Sequence, residues 1–417
     1  MLNRLRFLLS INIYELNFLF CLIGFSTFTT LLPESFPSIL YRAIALLLSI
    51  MCLIMTKGKV SIPKSKALFV FWGIFTLLLI RTLYEVYFGD LAINRNENTK
   101  RLIILFAVGV SYIPVMSVLF TFKRIEWSRT LVIFLIVAII VTAKGLMSMN
   151  PELLTSDGRY NLNSRQSTLA FGEYAGTLLL LSLSLLMRKL PNYKLTLLLK
   201  WCCIIGILIG VFGVAKAGSR GPFISTLLAV LYLVSISPKS VKSIFALFLG
   251  ILLVAGYMVL RELEELAPVL VTRMTYTIAD GDTNGRSDLA AQALNLIYEH
   301  PICGTNYLMI DEEQFTSYHN CYLTVAVALG AFIGIIYTLL IIKLLFESVR
   351  NRHLVNNSPE LFCICLFIYF CFRSLTGVEL LSDGRNSLIV IFTCLVNHKL
   401  HRKRILTNKY KQNERKN

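Results

Sequence analysis

The chain has 417 residues, of which 56% are hydrophobic and only 16% are charged. Soluble domains carry about a quarter charged residues, so this composition excludes a soluble protein and indicates a membrane protein. The formal net charge of +17 does not indicate a nucleic-acid partner, because the basic residues cluster in alternate segments between apolar runs. Such alternation is typical of membrane topology.

Twelve apolar runs in the chain approach the length of about 20 residues that crosses a bilayer. In chain order they cover 13–32, 37–56, 67–88, 102–122, 129–147, 167–187, 195–215, 221–237, 243–260, 320–346, 360–378 and 385–398. We therefore predict an all-α polytopic membrane protein of about twelve spans. Its predicted parts are a bundle of about nine spans over 1–260, a loop on the outer side over 261–318, about three spans over 319–398, and a basic cytoplasmic tail over 399–417.

The charge distribution predicts the orientation of these spans. Basic residues gather between alternate runs, as at Lys123 and Arg124, and in the tail after Lys399, whereas acidic residues dominate the other loops. By the positive-inside rule, both termini lie in the cytoplasm and the acidic loops lie outside. No internal repeat is visible in the chain.

The segment 280–334 is polar and interrupts the apolar pattern before it enters a predicted span. Its stretch SDLAAQALNLIYEH predicts an amphipathic helix that ends at Pro301. The apolar face of this helix consists of Leu289, Ala293, Leu296 and Ile297. Arg286 lies at the helix start, where free N–H groups and the helix dipole favour an anion. Its guanidinium adds a bidentate fork suited to phosphate.

Three further residues in polar segments are candidates for chemistry. His319, next to Asn320 at the mouth of a predicted span, can accept a proton near neutral pH, or it simply caps the helix. Arg220 lies in GSRGP, where glycine allows a ligand to approach the backbone. The alternative is a tight turn with a snorkelling arginine. His300 is either a ligand-binding residue or a cation favoured at a helix C-terminus.

Two arginines fall inside predicted spans, where charge is costly and indicates function by default. We expect Arg81 to pair with Glu85 one turn later, whereas Arg373 has no obvious partner nearby in the sequence and is expected to face a cavity. The spacing of His and Cys residues predicts no metal site and no cofactor. Cys303 and Cys321 fall near the outer face, but nothing in their spacing demands a disulfide.

Three segments together resemble the bacterial O-antigen polymerase and O-antigen ligase superfamily. They are GSRG at 218–221, GRSDLAAQALNLIYEHPICGTN at 285–306 and HNCYLTVAVALGAFIG at 319–334, and they lie in the last half of the chain. The chain departs from the family pattern at Asn306, where a second glycine is usual. The resemblance implies a fold related to the C-class glycosyltransferases. It also implies a bacterial inner-membrane location and an undecaprenyl-pyrophosphate-linked oligosaccharide as donor, used on the periplasmic side.

The resemblance further implies that His319 is the catalytic base and that Arg220 and Arg286 hold the pyrophosphate. Independently of the family, arginines suit a pyrophosphate leaving group, because they stabilise the charge that develops as the glycosidic bond breaks. We add Arg373 and His300 to the predicted substrate-binding set. A chain-length regulator is a partner by resemblance only.

Polymerase is favoured over ligase because the segment from His300 to Gly304 follows the family pattern closely. The alternative within the superfamily is a ligase that transfers the glycan to the lipid A core. A flippase or transporter is the alternative from another class, but it should show repeats and polar groups near the bilayer midplane. A scaffold for a polysaccharide complex would not need Arg220, Arg286 and His319 together.

Overall fold

The protein is described by a computed structural model that covers residues 10–31, 38–57, 62–89, 97–148, 168–190, 197–236, 286–306, 309–310, 315–316, 318, 320–355, 357–377, 380–381 and 384–414. The first helices are α1 (Ile13–Leu31), α2 (Ser38–Met55), α3 (Lys66–Phe88), α4 (Glu97–Ile104), a π-helix (Leu105–Tyr112), α5 (Ile113–Thr121), α6 (Trp127–Met147), α7 (Thr168–Met187), α8 (Leu197–Lys216) and α9 (Arg220–Ser235). They are followed by α10 (Arg286–Glu299), the strands β1 (Met309–Ile310) and β2 (Phe315–Thr316), α11 (Cys321–Leu329), α12 (Ala331–Arg350), α13 (Ser358–Arg373) and α14 (Gly384–Glu414). Single 3₁₀ turns occupy Phe122–Arg124 and Arg352–Leu354.

This architecture is that of an α-helical, multi-pass membrane protein. Six helical segments within the described ranges are long and apolar enough to cross a membrane, and shorter apolar helices accompany them. The two strands form only a two-residue antiparallel hairpin, in which Met309 faces Thr316. The number of twelve spans stays a prediction, and the predicted run 243–260 lies outside the described residues.

Two predicted apolar runs do not coincide with single helices of the structure. The run 320–346 is not one helix, because α11 ends at Leu329 and α12 begins at Ala331. The run 385–398 is only the first part of α14, which continues for 31 residues to Glu414. Most of the predicted basic tail is therefore a helical extension of the last apolar helix.

The break between α11 and α12 is caused by Gly330. Its backbone has φ 89° and ψ 160°, a conformation that is essentially reserved for glycine. A Cβ atom there would lie 2.2 Å from the carbonyl oxygen of Ile302. The amide of the next residue, Ala331, donates to the carbonyl of Pro301 at 2.8 Å. The turn that follows α10 thus packs against the break between α11 and α12.

Replacing Gly330 with alanine should lower the thermal stability of the purified protein. The new Cβ would clash with backbone and the φ angle would be strained, at a cost of about 1–3 kcal/mol from the backbone alone. Gly73→Ala is the matched control, because a Cβ at Gly73 in α3 meets nothing within 4 Å. Equal melting temperatures for the two variants would contradict this role of Gly330.

The same turn is also held by α3. Arg81 pairs with Glu85, with 2.8 Å between Nε and Oε1, which confirms the pair expected from the sequence. Arg81 Nε also donates to the carbonyl of Thr305 at 2.5 Å. The amide of Thr305 donates in turn to the carbonyl of Val327 in α11. A charged pair inside a membrane helix therefore fixes the segment that joins α10 to the hairpin.

The apolar face predicted for α10 is confirmed where it packs on α11. Ala293 is fully buried in one apolar cluster with Tyr318 and Val327, and Leu296 and Ile297 pack against this cluster. The C-terminal end of α10 meets the C-terminal end of α11 through the bond from Thr305 to Val327. The two helices therefore run in the same direction, and the start of α10 points toward the start of α11.

Close packing of α7 with α8 and α9 depends on small residues. Cβ atoms added at Gly210 in α8 and at Gly172 in α7 would lie 3.0 Å from neighbouring side chains. Such residues let membrane helices approach closely, since apolar burial alone gives no preference for helix over lipid. The close approach brings the polar face of α7 against the start of α9 and the end of α13.

Candidate functional site

Two arginines from separate helices converge on one face of α7, at the end of the bundle where α13 terminates. We call this the Arg373 end. Arg373, the last residue of α13, reaches Glu173, and Arg385, in the first turn of α14, donates to the hydroxyl of Thr177. Glu173 and Thr177 lie four residues apart and therefore share one face of α7. Both arginines are buried.

Arg373 is held by three different groups. Its Nε donates to Glu173 at 2.7 Å, Nη1 to the hydroxyl of Thr376 at 2.8 Å, and Nη2 to the carbonyl of Gly377 at 3.3 Å. The arginine side chain is 1% exposed, whereas that of Glu173 is 20% exposed. Glu173, the ionic partner of Arg373, belongs to another helix and lies 200 positions away in the chain. The guanidinium organises the turn that follows α13, and a direct contact with substrate stays a prediction.

The GSRGP turn lies against this same turn. Gly218 has φ 61°, so the chain reverses there before α9 begins at Arg220. A Cβ at Gly221 would lie 2.8 Å from the hydroxyl oxygen of Thr376 and 3.6 Å from Nη1 of Arg373. The backbone beside Arg220 is therefore in close contact with the Arg373 turn. Arg220 itself is half-buried at the first position of its helix.

The start of α11 is bonded to the Arg373 turn as well. Asn320 caps the helix by accepting from the amides of Tyr322 and Leu323. The amide of Cys321 donates to the carbonyl of Ser374 at 2.8 Å. His319 itself lies outside the described residues. Its chain neighbours Asn320 and Cys321 thus belong to the same cluster of helix ends as Arg373.

Tyr318 precedes His319 and is buried between α10 and α11. Burial, and to a lesser extent the negative charge of Glu85, raises the pKa of Tyr318 to about 12. Its hydroxyl is therefore protonated throughout the physiological pH range. Tyr318 is therefore a neutral side chain packed between the two helices and not a candidate base.

Arg286 begins α10, and its side chain lies outside the described residues. The helix has 14 residues, and its start points toward the start of α11, on the side of the Arg373 turn. His300 follows the other end of α10, about 20 Å from Arg286 at 1.5 Å per residue, and its side chain is exposed. The structure thus does not bring His300 together with Arg220 and Arg373.

The two cysteines considered for pairing are separate thiols. Cys321 is buried in the first turn of α11, where its Sγ lies 3.4 Å from the hydroxyl of Tyr337. Cys303 is exposed in the turn seated at the opposite end of α11. The length of α11 separates them, which rules out a disulfide in this arrangement.

Sequence reasoning missed Glu173 and Thr177 as members of the site. Glu173 lies within the predicted span 167–187, and a carboxylate there has the same significance as an arginine within a span. The π-helix was missed too. Its Ser111 hydroxyl donates to the carbonyl of Leu380 at 3.1 Å. Leu380 lies in the segment between α13 and Arg385, so the π-helix contacts the neighbourhood of the site. π-Helical turns occur frequently at functional sites.

Residues 205–338 of the chain match a protein-family model described as O-antigen ligase. This range contains all three segments on which the resemblance to the O-antigen polymerase and ligase superfamily was based, so that resemblance is confirmed over this part of the chain. The matched range includes Arg220, Arg286, His300 and His319. The match indicates a glycosyltransferase-like membrane enzyme. No curated protein matches the chain.

Proposed function

We propose that the protein is an O-antigen or related surface-polysaccharide polymerase. The observation that carries the proposal is the meeting of the GSRGP turn, the Glu173–Arg373 pair and the start of α11 at one end of the bundle. Each element comes from a different part of the chain. In a membrane protein, charged groups gathered at one mouth suit a substrate that is anionic and lipid-anchored.

In the proposed reaction, His319 removes the proton from a hydroxyl of the acceptor repeat unit. The hydroxyl oxygen then attacks the anomeric carbon of the donor glycan. The bond from that carbon to the pyrophosphate oxygen breaks, and undecaprenyl pyrophosphate leaves with the electron pair. Arg220 and Arg286 stabilise the negative charge on the leaving group. Protonated His319 later returns its proton to solvent.

Arg373 is proposed as a positioning residue. It is buried, and its three nitrogens contact Glu173, Thr376 and Gly377. Through Ser374 the same turn accepts the amide of Cys321, two residues after His319. The pair thus supports the backbone that directly follows the proposed base. Glu173, being partly exposed, is the member of the pair nearer to solvent or substrate.

The proposed setting is the bacterial inner membrane, with both termini in the cytoplasm and the Arg373 end in the periplasm. The distribution of basic residues supports this orientation. The reaction as written needs no cofactor and no metal, since arginine carries the leaving-group charge. A chain-length regulator is a proposed partner by resemblance alone.

A ligase is the second candidate, and the description of the matching family favours it. The two enzymes differ in acceptor, which is another lipid-linked repeat unit for the polymerase and the lipid A core for the ligase. Deleting the gene in its own host and separating lipopolysaccharide on a gel distinguishes them. Core with a single repeat unit and no ladder means polymerase. Bare core with polymer retained on undecaprenyl pyrophosphate means ligase, and an unchanged ladder contradicts both.

A further inference from the structure

A groove with a volume of about 1070 Å³ opens at the opposite end of the bundle, which we call the Asn357 end. It lies between the starts of α6 and α13 and the middle of α14, and it is lined in part by Trp127, Pro359 and Leu395. Helix α13 has 16 residues, so the groove and the candidate site lie about 24 Å apart. Neither the proposed reaction nor its substrates account for this groove.

The rim of the groove is strongly cationic. Five basic side chains line it, namely Lys64, Lys123, Lys399, Arg402 and Lys403. Among the described lining residues, Glu360 is the single carboxylate, and it is paired with Lys399 at 2.6 Å. Lys403 donates to the carbonyl of Leu354 at 3.2 Å, which holds another cation at the rim. Among these described lining side chains, positive charge therefore exceeds negative charge.

The inner wall of the groove is apolar and aromatic. Trp127 and Phe392 pack edge to face with ring centroids 5.1 Å apart, and Phe18 lies behind both. Cys363 and Leu395 complete this wall. A crevice of about 20 Å³ continues behind it, too narrow for a hydrocarbon chain. An apolar occupant would therefore lie along the wall and not enter the bundle.

We propose that this groove binds an anionic phospholipid, with its phosphate at the rim and an acyl chain along Trp127, Phe392 and Leu395. Basic pockets between membrane helices on the cytoplasmic side are suited to anionic headgroups. A soluble phosphate would satisfy the rim but leave the aromatic wall exposed to water, which is unfavourable for apolar surface. A neutral lipid would cover the wall but bring no negative charge to the cationic rim. The cationic rim and the apolar wall together favour an amphiphilic ligand with a negatively charged headgroup.

The test uses the full-length protein, purified in mild detergent and examined by native mass spectrometry with added phosphatidylglycerol or phosphatidylcholine. We expect phosphatidylglycerol to be retained in preference to phosphatidylcholine. The double variant Lys399→Gln/Arg402→Gln should lose about tenfold or more in retained phosphatidylglycerol, as expected for two cations at a membrane surface. A Lys399→Arg/Arg402→Lys variant preserves both charges and should retain the lipid.

The matched control is Lys200→Gln/Arg350→Gln, which removes two exposed cations that do not line the groove. It should retain phosphatidylglycerol like the wild type. The proposal is overturned if this control loses as much lipid as the groove variant, or if phosphatidylcholine is retained equally well. A different result also overturns the proposal: inorganic pyrophosphate raises the melting temperature of the wild type but not of the groove variant, and no lipid is retained. The groove would then bind a soluble anion.

Discussion

Replacing His319 with alanine should remove the polysaccharide ladder while the protein stays in the membrane at its normal level. The proposed base takes the proton of the acceptor hydroxyl, and a positioned acid or base contributes about 10²–10⁴-fold to the rate. A loss of that size leaves essentially no polymer. The measurement is a lipopolysaccharide gel from a deletion strain that carries the variant, with an immunoblot of the membrane fraction.

His353→Ala is the matched control, because His353 is an exposed histidine in the 3₁₀ turn Arg352–Leu354, which precedes α13 at the Asn357 end. It should leave the ladder close to normal. A full ladder from the His319→Ala strain would exclude His319 as the base, and it would favour a scaffold or transporter that needs no proton acceptor there. Loss of the ladder in both strains would mean that the loss does not depend on His319 in particular.

The features that the sequence predicted correctly rest on local periodicity. The buried face of α10 around Ala293 follows from helical spacing, and the Arg81–Glu85 pair follows from the i, i+4 rule. Both need only residues within a few turns of each other. The GSRGP and His319 segments were recognised as a pattern, but their meeting at one end of the bundle depends on how distant helices pack.

The features that were missed have no local signal. The partner of Arg373 is Glu173, 200 positions away, and no spacing rule connects residues at that distance. Gly330 interrupts an apolar run without a change in composition, since glycine is common in membrane helices. Only the carbonyl of Ile302, 2.2 Å from the place that a Cβ atom would occupy, reveals why the chain breaks there. Hydropathy therefore predicted one span where two helices exist.

Replacing Glu173 with glutamine should lower both thermal stability and polymer formation. The change leaves the buried guanidinium of Arg373 without its anion, and breaking a buried pair costs about 3–5 kcal/mol. The partial exposure of Glu173 favours the lower end of this range, because solvent screens the charge. We also expect the turn after Arg373 to shift and to displace the start of α11. A displacement of about 1 Å at a reacting group can cost a hundredfold in rate.

A second buried ion pair, at the Asn357 end, serves to separate the effect of Glu173→Gln on stability from its effect on the position of the site. Glu15 accepts from Nε and Nη2 of Arg129 at 2.8 and 2.5 Å, and no described residue of the candidate site takes part. Because Glu15 is fully buried, Glu15→Gln should lower the melting temperature of the purified protein at least as much as Glu173→Gln. Polymer per unit of membrane protein should fall only for Glu173→Gln. If both variants lose polymer in proportion to stability, Arg373 holds the fold together but does not position the site.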